Sequence, residues 1–359
     1  MSIDIKIESA KTLKPKPATH DLGFGKYFTD HMFIADFSEA KGWFDPRIVA
    51  YQPLSLDPGA SVLHYGQALF EGMKAFKGVD GKTRLFRPEM NWKRLQEGAA
   101  RLCMKAPNWD LFFQGILNFV KIEETWIPTE PTTSLYLRPT LIGTEAFLGV
   151  RPSEQYLFYI IGSPVGAYYS QPDLGIQAVK IWVEMNDSRC APGGIGAVKA
   201  GGNYASSLRA ATAARKQGYA QVLWLDAGEK KYIEEVGTMN VFFKIADEVI
   251  TPPLSGTILP GVMRNSIIEL MNSMGLSVTE RKISLEEVMT AHQNGILQEV
   301  FGTGTAASVS PVGVLGLNNK TLTIQNGNPG PLAQKLYQTV TDIQYARIPD
   351  HMNWMTTAN

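Results

Sequence analysis

The order of apolar and polar positions divides the chain into many short strands and fewer helices. Tyr27 to Phe37 mixes apolar, aromatic and β-branched residues as a strand does, and Arg47 to Leu56 repeats the mixture. Leu63 to Phe76 is richer in aromatics and glycine than a plain connection needs, and Gly78-Val79-Asp80-Gly81 turns into a strand at Thr83 to Arg87. From Pro88 the period changes. Trp92, Leu95, Ala99 and Leu102 fall at helical spacing behind a first-turn proline, and a second helix is expected from Asp110 to Glu124. Ser134 to Ile142 and Gln155 to Ile161 read as buried strands. A strand from Ile176 to Glu184 leads into a glycine-rich loop. Asn203 is placed to cap a helix, Tyr204 to Gln217, that Gly218 closes. Ala220 to Leu225, Lys231 to Val236, Asn240 to Ile245 and Glu248 to Thr251 are strand-like. Pro260 to Gly275, Leu285 to His292 and Leu332 to Tyr345 are helical. The hairpin-like spacing of the strands argues against a doubly wound parallel sheet.

At 359 residues the chain is long enough for two domains. The polar stretch Ser170-Gln171-Pro172-Asp173-Leu174-Gly175 follows a compact unit. The expected division is a smaller domain over 1–169, a linker over 170–175 and a larger domain over 176–359. The 34 basic residues balance 34 acidic ones, so no net field draws the protein to nucleic acid or an anionic membrane. Cys103 and Cys190 are too few and too far apart for a disulfide framework or a cysteine metal site, and the five histidines show no paired ligand spacing. The N-terminal residues carry early acids without a basic region and apolar run. A soluble cytoplasmic protein is expected.

Candidate chemistry gathers on Lys199. Five glycines surround it, and every side chain within two places is small or apolar. A lysine kept from water loses its charge readily and becomes a nucleophile, as a Schiff base with pyridoxal phosphate requires. That cofactor also needs a carboxylate for its pyridine nitrogen. Glu235 is the candidate, and strand alternation is expected to turn Glu234 to the opposite face. Two stretches offer a phosphate cradle: Leu259-Pro260-Gly261-Val262-Met263-Arg264, which opens a helix, and Gly302-Thr303-Gly304-Thr305-Ala306-Ala307. Arg87 is placed to add charge. Walker and Rossmann patterns are both missing. Phe24, Tyr65, Phe70, Tyr136, Arg138 and Tyr168 are candidates for a small substrate pocket with aromatic walls and few polar points.

Taken in order, these segments resemble branched-chain amino acid aminotransferases. The resemblance rests on Lys199-Ala200-Gly201-Gly202-Asn203-Tyr204, Glu235-Val236-Gly237-Thr238-Met239-Asn240, Leu259-Pro260-Gly261-Val262 and Phe301-Gly302-Thr303-Gly304-Thr305-Ala306. It also rests on Leu69-Phe70-Glu71-Gly72-Met73-Lys74-Ala75-Phe76, Leu85-Phe86-Arg87-Pro88 and Ser134-Leu135-Tyr136-Leu137-Arg138-Pro139. It runs from about Phe24 to Tyr345. It implies a two-domain α/β chain of fold type IV, the D-amino acid aminotransferase-like class of pyridoxal 5'-phosphate enzymes, whose larger C-terminal domain holds a pseudo-barrel. By the same resemblance Lys199 is the Schiff-base lysine and proton shuttle, Glu235 pairs with the pyridine nitrogen, and Tyr204 bonds the phenolic oxygen. Arg87, Val262, Met263 and Thr305 hold the phosphate, with Thr238 near cofactor and substrate. Tyr65 and Arg138, with backbone N–H groups of Thr305 and Ala306, place the substrate carboxylate. Phe24, Phe70, Tyr136 and Tyr168 line the side-chain pocket. A homodimer or larger homo-oligomer is implied, with Leu148 and Val150 reaching the neighbouring subunit.

The implied reaction is ping-pong transamination between leucine, isoleucine or valine and 2-oxoglutarate. Where mammalian members carry a redox-sensing Cys-x-x-Cys, this chain has Ala307 and Ser310, so no such thiol switch is expected. The competing readings are a D-amino acid aminotransferase, an aminodeoxychorismate lyase, or a non-catalytic binding protein of the same fold.

Overall fold

The computed structural model describes residues 3–166, 170–171, 175–318 and 320–358, the side chains of 170 and 171 excepted. Tyr168 lies outside the described residues, as do 172–174 of the expected linker. The chain forms two compact units. One is Met1–Tyr168 with Val198–Gly201 and Asp342–Asn359; the other is Tyr169–Ala197 with Gly202–Thr341. This differs from a single cut near 170–175, because two later segments return to the first unit. Leu69 forms an isolated bridge with Ala200, and the Phe70 N–H donates to the Lys199 carbonyl at 3.1 Å. Met355–Thr357, short enough to escape a pattern search, pairs antiparallel with Thr83–Phe86.

The first unit is built on a nine-stranded, almost wholly antiparallel sheet. Ser134–Gly143 is one of its central strands, flanked by Gln155–Val165 on one side and by Met73–Lys77 and Ala68–Phe70 on the other. Its ten residues are buried but for Arg138, as expected where both faces of a strand are covered. Pro88–Arg101 begins with proline at its first position and buries Asn91, Arg94, Leu95, Gly98 and Ala99, which share one face at helical spacing. Trp109–Ile122 starts from Asn108, whose Oδ1 accepts the Leu111 N–H at 2.9 Å and satisfies one of the orphan donors of the first turn.

In the second unit six strands close on themselves. Val179–Glu184 pairs with Gln221–Leu225 and with Ser308–Leu317; Leu297–Gly304 and Met239–Ile245 continue the ring, and Ile233–Val236 joins its ends. Ile181, Val183, Leu223, Leu225, Val241 and Phe243 belong to one hydrophobic cluster, at alternate positions of their strands. Trp182, Val222 and Trp224, on the opposite face, meet Ala210 and Ala214 of the helix Leu208–Lys216. The single helix expected over Tyr204 to Gln217 is two, Gly201–Ser206 and Leu208–Lys216, and Asn203 lies inside the first. Its amide does not cap: Nδ2 donates to the Ile195 carbonyl at 2.8 Å and ties the helix to the glycine loop.

Candidate active site

In the first unit the sheet register sets the site. Phe70 faces Thr140 and Lys74 faces Tyr136, so Phe70, Lys74, Tyr136 and Arg138 share one face. Lys199 arrives on that face, its Nζ 4.8 Å from the Phe70 ring centroid. The Arg138 guanidinium lies 4.6 Å from the same centroid and donates from Nη2 to the Tyr136 hydroxyl at 3.0 Å. Phe24 meets Tyr136 edge to face at 4.9 Å. Gly72 is required here, because a Cβ at that position would fall 2.1 Å from the Tyr136 hydroxyl oxygen. Arg138 Nε is buried with no acceptor among the described residues. A donor fork with an unused N–H, next to an aromatic wall, suits a carboxylate.

Lys199 is half-buried, and its amine is pushed down to about 8. Burial is the chief cause; the Arg94 guanidinium adds to it, while Glu71 pulls the other way. Glu71 and Arg94 were not singled out by the sequence. Glu71 is fully buried and accepts from Arg94 Nε at 2.8 Å and Nη2 at 2.7 Å, and from Asn91 Nδ2 at 2.7 Å. Burial raises its carboxyl, but the paired guanidinium outweighs this and holds it below the ordinary value. Lys74 is a second buried amine on this face, likewise pushed down to about 8 by desolvation.

Tyr65 is partly exposed on the short helix Ser61–Tyr65, and its hydroxyl donates to the Leu148 carbonyl. Leu148 and Val150 are 65% and 87% exposed. Arg87 takes φ 47° immediately before Pro88. Its N–H donates to the Trp354 carbonyl at 2.8 Å, and its guanidinium lies 5.5 Å from the Trp354 ring centroid.

The second unit holds the remaining candidates. Glu235 is 2% exposed, and its Oε2 lies 2.6 Å from Arg189 Nε. Its Oε1 accepts from Asn240 Nδ2 at 3.1 Å and from the Leu259 N–H at 3.2 Å. Asn240 also donates to the Leu259 carbonyl at 2.9 Å, and a Cβ on Gly261 would fall 2.0 Å from its Oδ1. Glu235 is thereby joined to the start of the helix Val262–Ser273. There Gly261 is the N-cap without a side-chain acceptor, so the first-turn N–H groups of Val262 and Met263 have no side-chain cap. Asn240 faces Thr303 across the sheet, which brings the glycine–threonine stretch beside the same network. Thr305 and Ala306 lie in the turn between Leu297–Gly304 and Ser308–Leu317, half-buried. Thr238 is exposed in the tight turn after Gly237, whose φ of 59° suits glycine. Tyr204 is half-buried on Gly201–Ser206. Glu234 is buried like Glu235, as the extra residue of a bulge opposite Trp224 and Leu225, and it bonds Thr257 instead.

The first unit thus holds a lysine amine lowered to about 8, and the second a buried carboxylate held by an arginine and an amide beside an open helix start. The chain belongs to the class IV amino-transferase family, whose model matches residues 68–314. It is 52% identical to branched-chain-amino-acid aminotransferase 2 of Bacillus subtilis (strain 168) over 352 residues, 98% of this chain and 96% of that protein. Its fold is similar to the crystal structure of the Escherichia coli branched-chain amino acid aminotransferase, with TM-score 0.76 and 26% identity over 91% of this chain and 99% of that one. The branched-chain amino acid aminotransferase of Thermobaculum terrenum, solved in its PLP-form (holo-form), shares the fold at TM-score 0.73 and 21% identity, over 92% of this chain and 98% of that one. The fold is therefore that of the fold type IV enzymes. No helix among the described residues is long and apolar enough to cross a membrane.

Proposed function

We propose that the chain catalyses reversible amino transfer between L-leucine, L-isoleucine or L-valine and 2-oxoglutarate, with pyridoxal 5'-phosphate as cofactor. The observation that carries this reading is the lowered amine of Lys199 on the face that also bears Arg138, Phe70 and Tyr136, in a chain half identical to a named branched-chain aminotransferase. The chemistry of the donors in each unit suits the cofactor. Lys199 would bind its aldehyde carbon, Glu235 its pyridine nitrogen and Tyr204 its phenolic oxygen. Val262, Met263, Thr305 and Arg87 would hold its phosphate, with Thr238 nearby. Bound there, it supplies an electron sink for negative charge at the substrate α-carbon.

The protein's own contributions follow from its side chains. Lys199 Nζ, lowered to about 8, has a usable neutral fraction near neutrality, and in that form it takes the α-proton and later returns one. Arg138 orients the substrate carboxylate with its fork, helped by Tyr65 and the N–H groups of Thr305 and Ala306. Phe24, Phe70 and Tyr136 form the apolar wall for the side chain. Asn240 and Arg189 hold Glu235 in place, so its carboxylate needs no reorganisation when charge develops.

Leu148 and Val150 support a homodimer or larger homo-oligomer in which they meet a second copy, which sedimentation of the wild type against Val150→Asp checks. Two unpaired cysteines and balanced charge support work in a reducing cytoplasm. The decisive experiment follows the visible absorption of the purified protein. The band should bleach with L-leucine and return with 2-oxoglutarate. A band indifferent to L-leucine but sensitive to D-alanine would replace the substrate assignment, and a protein that takes up no cofactor would overturn the reading.

A further inference from the structure

The second unit also contains a cavity of about 300 Å³ that the proposed reaction does not use. Glu234, Ser255, Thr257, Ile233 and Ile258 line part of it. Glu234 is 8% exposed, and its Oε2 is buried without a hydrogen-bond partner among the described residues. A buried carboxylate oxygen left this way is costly, so it marks a place where a donor is missing.

Hydroxyl bookkeeping fixes the kind of donor. Thr257 spends its one hydroxyl hydrogen on Glu234 Oε1, at 2.5 Å. In the 3.0 Å contact between Ser255 and Thr257 the serine must therefore donate, which leaves its lone pairs as further acceptors. At the Glu234 end, what these three side chains leave open toward the cavity is acceptor only. Asp226 also lines it but is committed, accepting the N–H groups of Glu229, Lys231 and Tyr232 at 2.8, 2.8 and 2.6 Å. Among the described lining residues the one cation, Lys282, sits over the Tyr232 ring at 4.9 Å. Glu229 adds a further carboxylate, and Ile233, Ile258 and three prolines supply apolar surface.

We propose that this cavity is a binding site for a small organic ammonium ion, whose N–H donates to Glu234 Oε2 and whose alkyl groups lie against Ile233 and Ile258. Burial raises the carboxyl of Glu234, and Asp226 adds to this, more than the Thr257 hydrogen bond and the charges of Arg189 and Lys230 lower it. The site is separate from the Glu235 network: Glu234 bonds Thr257, whereas Glu235 bonds Asn240 and the Leu259 N–H and pairs with Arg189.

The test uses the cofactor-loaded protein and trimethylammonium, a tertiary amine that cannot condense with an aldehyde. The neutral comparison is tert-butanol, which carries three methyl groups and one O–H donor without the charge. Ligand-observed NMR should show trimethylammonium binding at least tenfold more tightly than tert-butanol, and Glu234→Gln, which turns the acceptor into a donor, should erase that preference. Equal binding of the two probes by the wild type overturns the proposal without reference to any variant. So does a folded Glu234→Gln protein, judged by its melting curve, that keeps the preference.

Discussion

Lys199 holds its amine near 8 at the expense of the folded state, and replacing it with methionine exposes the cost. In the unfolded chain the amine returns to its ordinary 10.5, whereas in the fold it lies at about 8. At pH 7 both states carry the proton, and the folded one is disfavoured by the whole gap. At about 1.4 kcal/mol per pH unit this comes to about 3 kcal/mol at most, trimmed by the solvent that a half-buried side chain still meets. Between pH 8 and 10.5 the unfolded chain binds the proton and the folded one does not, so stability rises with pH and the penalty fades. Lys199→Met keeps the length of the side chain and removes the charge. In urea denaturation of the cofactor-free protein it should be the more stable form at pH 7, by up to about 3 kcal/mol, and the two curves should converge as pH approaches 10.5. A variant that is no more stable at pH 7, or a difference that does not shrink with pH, would refute the account of the amine.

Other substitutions probe the surrounding supports. Glu71→Gln leaves the Arg94 guanidinium buried without its counter-charge and should cost about 3–5 kcal/mol in urea, part of which a second change, Arg94→Met, restores. Gly72→Ala pushes the Tyr136 hydroxyl off Arg138 and should raise KM for the amino acid more than it lowers kcat, read from initial rates. Gly261→Ala crowds Asn240 and should cost about 1–3 kcal/mol and weaken cofactor retention, measured by dialysis and absorbance. Arg189→Met strips Glu235 of its ion pair and should destabilise by about 3–5 kcal/mol, whereas Arg209→Met, at an exposed pair with Asp187, should change stability by under about 1 kcal/mol.

What could be read in advance was whatever local chemistry determines. The helices Pro88–Arg101 and Trp109–Ile122 were visible because proline, asparagine and the apolar period act within a few residues. Lys199 was legible because its neighbours are glycines, and Glu235 because a glycine turn follows it. The partners of these groups were not. Glu71 follows the strand Ala68–Phe70, Arg94 lies on a helix, Arg189 reaches Glu235 from a distant loop, and no local pattern encodes such pairings. Asn203 looked like a cap because asparagine usually is one at a helix start; the carbonyl of Ile195 claims it instead. The bulge that buries Glu234 beside Glu235 depends on a partner strand, so no local pattern foretells it.

The strand Met355–Thr357 pairs with one laid down much earlier in the chain. Thr83–Phe86 leaves the ribosome long before its outer neighbour exists. At roughly 5–20 residues per second, the about 270 residues between them take about a quarter of a minute to a minute to make. During that interval the edge of the first sheet shows unpaired N–H and carbonyl groups to every other nascent chain. Synthesis speed and chaperone supply, more than equilibrium stability, should therefore govern how much of this protein reaches its native form in a cell.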